Sequence, residues 1–143
     1  MTSAEIGKTI KLLSNYLNRR LLQIPAIKNQ QDITPVQGMI LGFIVEEESD
    51  IFQKDIEQTF TLRRSTVSGV LSSMEEAGLI IRERVESDAR LRKITATEKG
   101  KKQYSLIKSE LSAIEYQITA GLSDEEITAF LHTAEKIKRN LLQ

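Results

Sequence analysis

Two groups of residues carry types suited to recognition chemistry. The first is Arg63-Arg64-Ser65-Thr66, continued by Ser68 and Ser72. It combines forked cations with short hydroxyls, the donors and acceptors that address an anion or the edge of a planar heterocycle. The second is Arg82, Arg84, Arg90, Arg92 and Lys93, which fall within twelve residues. Arginine suits both tasks because its planar guanidinium donates in a fixed geometry. Covalent chemistry is poorly provided for. There are no cysteines and one histidine, His132. That excludes a disulfide scaffold, a Cys-ligated zinc site, a thiol sensor and a Cys nucleophile, and it disfavours a His-rich metal site or a Ser-His-Asp hydrolase. No nucleophile–base pair, phosphate loop or carboxylate dyad stands at a recognisable spacing. Catalytic residues, metal ligands and cofactors are therefore not expected, and the chain does not read as an enzyme.

The charge distribution sharpens this. The 143 residues carry 20 Lys+Arg and 20 Asp+Glu, a net charge of zero. The balance is local rather than uniform. Residues 46–60 hold six acids and one base, whereas residues 61–102 hold ten bases and six acids. A basic block is most often a solvated face, so its setting decides its meaning.

Hydrophobic spacing supplies that setting. Ile6, Ile10, Leu13, Leu17 and Leu21 recur at helical intervals and predict a helix over about 3–24. Pro25 interrupts it, and 26–32 reads as a connection. Thr34-Pro35 is a helix start, with Thr as N-cap and Pro at the first helical position. That helix runs to about 47, and Gly38 and Gly42, four apart, leave room for a neighbouring helix. A polar turn and the short extended piece Ile51-Phe52 follow. A helix over 53–60 turns Ile56 and Phe60 inward, and 61–63 is a turn. A second helix reaches Ala77 and buries Val67, Val70, Leu71 and Met74, and Gly78 stops it. The period then changes to that of a hairpin: a strand over 79–85, a turn at 86–89 and a strand over 91–95. Thr97 caps a long helix with Tyr104, Ile107, Leu111, Ile114 and Ile118 on one stripe. Ser123 caps the last helix, which carries Ile127, Phe130, Leu131, Ala134, Ile137 and Leu141.

Residues 53–95 thus read helix, turn, helix, hairpin. In a helix-turn-helix the second helix enters the DNA major groove by its N-terminal end. With Val67, Val70, Leu71 and Met74 inside, Arg64, Ser65, Ser68 and Ser72 fall on the outer face. A solvent helix without a duty would carry Glu and Lys there. Arg can read guanine, and Ser or Thr can contact bases or phosphates. The hairpin would serve as a wing whose arginines suit a narrow minor groove, with Asp88 bracing the turn or pairing with an arginine. The competing readings are a helix-turn-helix that binds protein and a hairpin with an ordinary ladder of cross-strand ion pairs.

Asp88 to Gly100, D-A-R-L-R-K-I-T-A-T-E-K-G, resembles the wing-to-helix signature of MarR-type winged-helix transcriptional regulators. Q-K-D-I-E at 53–57, R-S-T-V-S-G-V-L at 64–71 and E-E-A-G-L-I at 75–80 resemble that family's helix-turn-helix. The order of elements matches along essentially the whole chain. Ala96 departs from the usual Leu, away from the DNA face. The resemblance implies a homodimer that binds pseudo-palindromic double-stranded operators, usually as a repressor. It places Ser65, Thr66 and Ser68 on the groove-reading helix and makes Arg90 the wing arginine.

The expected fold is mainly α with a small β-hairpin wing. Residues 32–100 form a winged helix-turn-helix DNA-binding domain, and 1–31 with 101–143 form a helical dimerisation region. The expected DNA-binding residues are Arg63, Arg64, Ser65, Thr66, Ser68, Ser72, Arg84, Asp88, Arg90 and Arg92. A two-fold operator reader needs two recognition helices about 34–36 Å apart, and the apolar terminal helices offer the interface. The resemblance further implies release by a small aromatic or amphipathic ligand. Its candidate lining is Tyr16, Arg20, Met39 and Phe43, residues that would equally serve as core. No apolar run is long enough to cross a bilayer and the N-terminus is not a signal peptide, so a cytoplasmic protein with no membrane partner is expected. The alternative function is a winged-helix protein-interaction module without DNA binding.

Overall fold

Thr34 and Pro35 show how local chemistry sets an element. In the computed structural model, which describes residues 3–28 and 33–143, Thr34 Oγ1 accepts the Gln37 N–H at 3.2 Å. The Gln37 side chain in turn accepts the Thr34 N–H at 3.1 Å. Two N–H groups without helical partners are satisfied this way, and Pro35 has none to satisfy.

The described elements are α1 (Ser3–Leu21), α2 (Pro25–Lys28), α3 (Pro35–Glu46), α4 (Gln53–Phe60), α5 (Arg64–Glu76), β1 (Ile80–Val85), β2 (Asp88–Ala96), α6 (Glu98–Thr119) and α7 (Asp124–Leu141). This is the expected mainly α class with one antiparallel hairpin. Pro25 does not open a connection, as expected from sequence; it starts the single turn α2. A proline breaks a helix interior but suits a first position equally well, and burial of Ile24 and Ile27 favours the second outcome here. Residues 29–32 of the expected connection, and the expected domain boundary at 31/32, lie outside the described residues.

The chain forms two compact units, Met1–Leu111 and Ser112–Gln143. In the first, Ile40, Leu41 and Ile44 of α3, Ile56 of α4, Val67, Leu71 and Met74 of α5, Ile80 and Ile94 of the hairpin and Ile107 of α6 are buried. Each contributes about 1.5–3 kcal/mol. Val70 and Phe60, both expected inside, are half-buried. Phe60 meets Phe43 edge-on with ring centroids 5.8 Å apart. In the second unit Gly121 takes a φ of 79° between α6 and α7, and Ser123 Oγ accepts the Glu126 N–H at 3.1 Å. No residue of α7 is buried within the chain, and Ile118, expected on the apolar stripe of α6, is exposed.

The two glycines of α3 face α6 unequally. A Cβ on Gly38 would lie 3.7 Å from Ile107 Cδ1, an ordinary contact, whereas one on Gly42 would lie 2.7 Å from the Tyr104 ring. That ring is buried, and its hydroxyl donates to Glu46, so it cannot swing aside freely. The Glu46 contact and burial push the Tyr104 pKa up to about 12, burial being the larger cause. Gly→Ala in a helix gains about 1 kcal/mol, whereas overpacking costs about 1–3 kcal/mol. Gly38→Ala is expected to raise the melting temperature and Gly42→Ala to lower it. A calorimetric scan checks the pair, and equal shifts would show that α3 and α6 are not in this contact.

Candidate nucleic-acid interface

The recognition surface begins at the turn between α4 and α5. Thr61 takes a left-handed φ of 51°, which reverses the chain in three residues. Arg63 sits at the N-cap of α5 with no side-chain hydrogen bond to the helix. Val67 N–H is the first to find a helical acceptor, Arg63 O at 3.0 Å, so the preceding N–H groups remain for an anion. Arg64, Ser65, Thr66 and Ser72 are exposed, and burial of Val67, Leu71 and Met74 fixes which side they occupy. Ser68 differs from the expectation of a free outward hydroxyl. It is half-buried, and its Oγ accepts from Gln53 Nε2 at 2.9 Å.

The hairpin departs from the expected turn at 86–89. Its register runs Ile80↔Ala96, Ile81↔Thr95, Arg82↔Ile94, Glu83↔Lys93 and Arg84↔Arg92, then breaks before Val85↔Asp88. Asp88 therefore belongs to β2, and Ala89-Arg90-Leu91 are accommodated opposite the Arg84/Val85 step as a bulge, which re-aims side chains. Asp88 supplies the brace. Its Oδ1 accepts the Arg90 backbone N–H at 2.9 Å and Nε at 3.2 Å, and Oδ2 accepts Nη2 at 3.3 Å. These bonds from Arg90 hold the Asp88 carboxyl below its ordinary pKa. The Arg90 side chain is nonetheless 90% exposed. Arg84 and Arg92 stand directly opposite each other and are both exposed. Such a like-charged pair is unfavourable in the free protein and is relieved by an anion.

Two of the other basic residues are internally engaged. Arg82 is only 20% exposed and pairs with Glu75 at 2.9 Å, which holds the Glu75 carboxyl below its usual range. Lys93 pairs with Asp50 at 3.2 Å. The hairpin is tied to the body by Ile94 N–H, which donates to Ile51 O at 2.8 Å. At its exit Thr97 Oγ1 donates to Gly78 O at 2.5 Å and accepts the Gly100 N–H at 3.0 Å.

Between α4, the start of α5 and β2 lies a cleft of about 450 Å³ whose lining includes Lys54, Arg64, Arg82, Arg90 and Arg92, with Glu57 as its acid. It brings expected residues of both elements to one place. Gln53, Lys54 and Arg82, none of them among the expected contacts, also line it. Gln53 and Lys54 signal only by opening α4, whereas Arg82 stands in the sequence as one of the basic residues of the hairpin. The candidate ligand residues show no comparable convergence. Phe43 is turned to Phe60. Tyr16 is exposed with the Arg19 guanidinium 5.8 Å over its ring, Met39 is exposed and Arg20 is half-buried.

Helix, turn, helix and hairpin in this order define a winged helix-turn-helix protein. The MarR family model matches residues 31–91. S. aureus MepR in its DNA-binding conformation is 26% identical, covering 95% of this chain and 98% of its own, with a TM-score of 0.84. The MepR–DNA complex gives 26% identity, 95% and 97% coverage and a TM-score of 0.85. The transcription regulator MarR from Oenococcus oeni PSU-1 is 25% identical, covers 94% of this chain and 98% of its own, and has a TM-score of 0.80. Over residues 31–91 the chain matches the MarR family, and as a whole it has the fold of that family's transcription regulators. Among the described residues no helix is long and apolar enough to cross a membrane.

Proposed function

We propose that this protein is a homodimeric, sequence-specific reader of duplex DNA that represses transcription and leaves a pseudo-palindromic operator when a small ligand binds. The observation that carries the reading is the arginine-lined cleft between the start of α5 and the wing, continuous with the uncapped N-terminus of α5. Residues 32–100 would form the DNA-binding part. The direct contacts would come from Arg63, Arg64, Ser65, Thr66, Ser68 and Ser72 on α5 and from Arg84, Arg90 and Arg92 on the wing, with Asp88 as brace. MepR, described in complex with DNA, supports the assignment.

Residues 1–31 and 101–143 would form the dimer. Ile6, Ile10, Leu13 and Leu17 of α1 are all exposed, as are Phe130, Leu131 and Leu141 of α7. An obligate dimer covers such surface over about 2,000 Å² or more. The ligand would be taken by Tyr16, Met39 and Phe43, with Arg20 as a polar anchor, residue types that suit an aromatic or amphipathic molecule.

The wing provides the test. Arg90→Ala should lower operator affinity and reduce the slope of log K against log salt by about two for the dimer, one counterion per subunit. Asp88→Ala removes a negative charge, so charge counting alone predicts tighter binding. Loss of the three bonds that orient Arg90 predicts the reverse, a several-fold weakening. Fluorescence anisotropy across a salt series measures both. Tighter binding by Asp88→Ala with an unchanged wing would remove Asp88 from the account.

A further inference from the structure

Gln53 is the first residue of α4, and its amide spans the helix-turn-helix. Nε2 lies 2.9 Å from Ser68 Oγ and 3.4 Å from the Arg64 backbone oxygen. The backbone oxygen can only accept, so the amide must present its NH2 group to α5; turned over, it would set two carbonyl oxygens against each other. Ser68 Oγ must then accept from Gln53. A hydroxyl has one proton to donate. In a helix that proton commonly returns to the carbonyl four residues back, here Arg64. That oxygen already receives the helical N–H of Ser68 and the second N–H of Gln53, which fills its two lone pairs. The Ser68 proton is left to point away from the helix.

We infer that Gln53 is a specificity-determining positioning residue: it fixes Ser68 as a hydrogen-bond donor, so that α5 selects an acceptor-bearing base edge at one operator position. The acceptors available in the major groove are guanine O6 and N7, adenine N7 and thymine O4, whereas cytosine offers only its N4 donor. An unconstrained serine would rotate to suit either kind of edge. The pairing of Gln53 with Ser68 converts a permissive contact into a selective one, and cytosine is the base disfavoured.

The inference rests on the duplex-DNA reading proposed above, and the test separates the two. Duplexes are selected from a randomised pool with the wild type, Ser68→Ala, Gln53→Leu and Gln53→Glu, and base preference is read at each position. The wild type is expected to discriminate against cytosine about tenfold at one position per half-site. Ser68→Ala and Gln53→Leu should each bring that preference close to unity while the other positions keep theirs. Gln53→Glu is the second variant. A carboxylate at the first position of α4 suits the helix dipole and can only accept, so it keeps one oxygen on Ser68 and turns the other away from the Arg64 carbonyl. Ser68 then donates inward and presents lone pairs to the groove, and preference at the same position should shift toward the cytosine and adenine amino groups. A purely structural Gln53 would weaken binding at all positions alike; that result, or a Gln53→Glu preference matching the wild type, overturns the inference alone. A wild type that enriches no duplex overturns both readings.

Discussion

Ile10→Glu is expected to leave a folded monomer that no longer binds operator. Ile10 is 45% exposed in the single chain, so the fold loses little apolar burial when it is replaced. Glu is also as good a helix former as the position needs. In the proposed dimer the same side chain lies in an apolar interface, where an uncompensated charge costs about 3–5 kcal/mol. Two-fold symmetry places it there twice. Association should weaken by at least three orders of magnitude. Operator affinity should fall with it, because one winged helix cannot span both half-sites. Leu141→Glu, at the end of α7, should act in the same direction. Light scattering at micromolar concentration reads the result directly: twice the 16.2 kDa of the chain for the wild type and about that mass for Ile10→Glu. A variant that stays dimeric would place α1 outside the interface.

The second large effect is on the fold. Gly100 packs against the backbone of Leu79, and a Cβ there would fall on the Leu79 carbonyl oxygen and come within 3.1 Å of its carbonyl carbon. That oxygen is held by the Thr97 N–H at 3.0 Å, and Thr97 itself joins Gly78 to α6. No side chain can rotate to relieve the clash. Gly100→Ala should therefore cost about 3 kcal/mol or more, a large share of the roughly 5–15 kcal/mol that holds a domain folded. A fall in melting temperature of about 10 °C or more follows. Thermal denaturation followed by circular dichroism measures it, and a melting point within two or three degrees of the wild type would contradict the close approach.

These two cases mark where sequence reading succeeds and where it stops. Thr34-Pro35, Gly78 and Ser123 carry their meaning within four residues, so the limits of α3, α5 and α7 were open to a local reading. The apolar phases of α4, α5 and the hairpin were open in the same way, and they sufficed to set Arg64, Ser65 and Ser72 outward. The bulge at 89–91 was not. It depends on which residue of β1 each residue of β2 meets, and a hydrophobic pattern does not record a pairing offset of three. The same holds for side chains whose partners are distant in the chain. Sequence alone marks Arg82 and Lys93 as basic residues of the hairpin, and only the fold pairs them with Glu75 and Asp50. Ser68 looked like a free hydroxyl because its spacing from Ser65 and Ser72 is helical; only the packing of α4 on α5 brings Gln53 to it. Pro25 illustrates a different limit, since one residue type both ends and begins helices and the burial of Ile24 and Ile27 chooses between them.

Selection of duplexes from a randomised pool by the wild-type protein tests the central claim, a two-fold DNA reader, in one measurement. The expected product is a pseudo-palindrome whose half-sites are centred about 10 base pairs apart or a multiple of it, with preference concentrated where α5 meets the major groove. A pool that shows no enrichment would leave a winged helix that binds protein instead, and enrichment of a single unrepeated half-site would contradict the dimer.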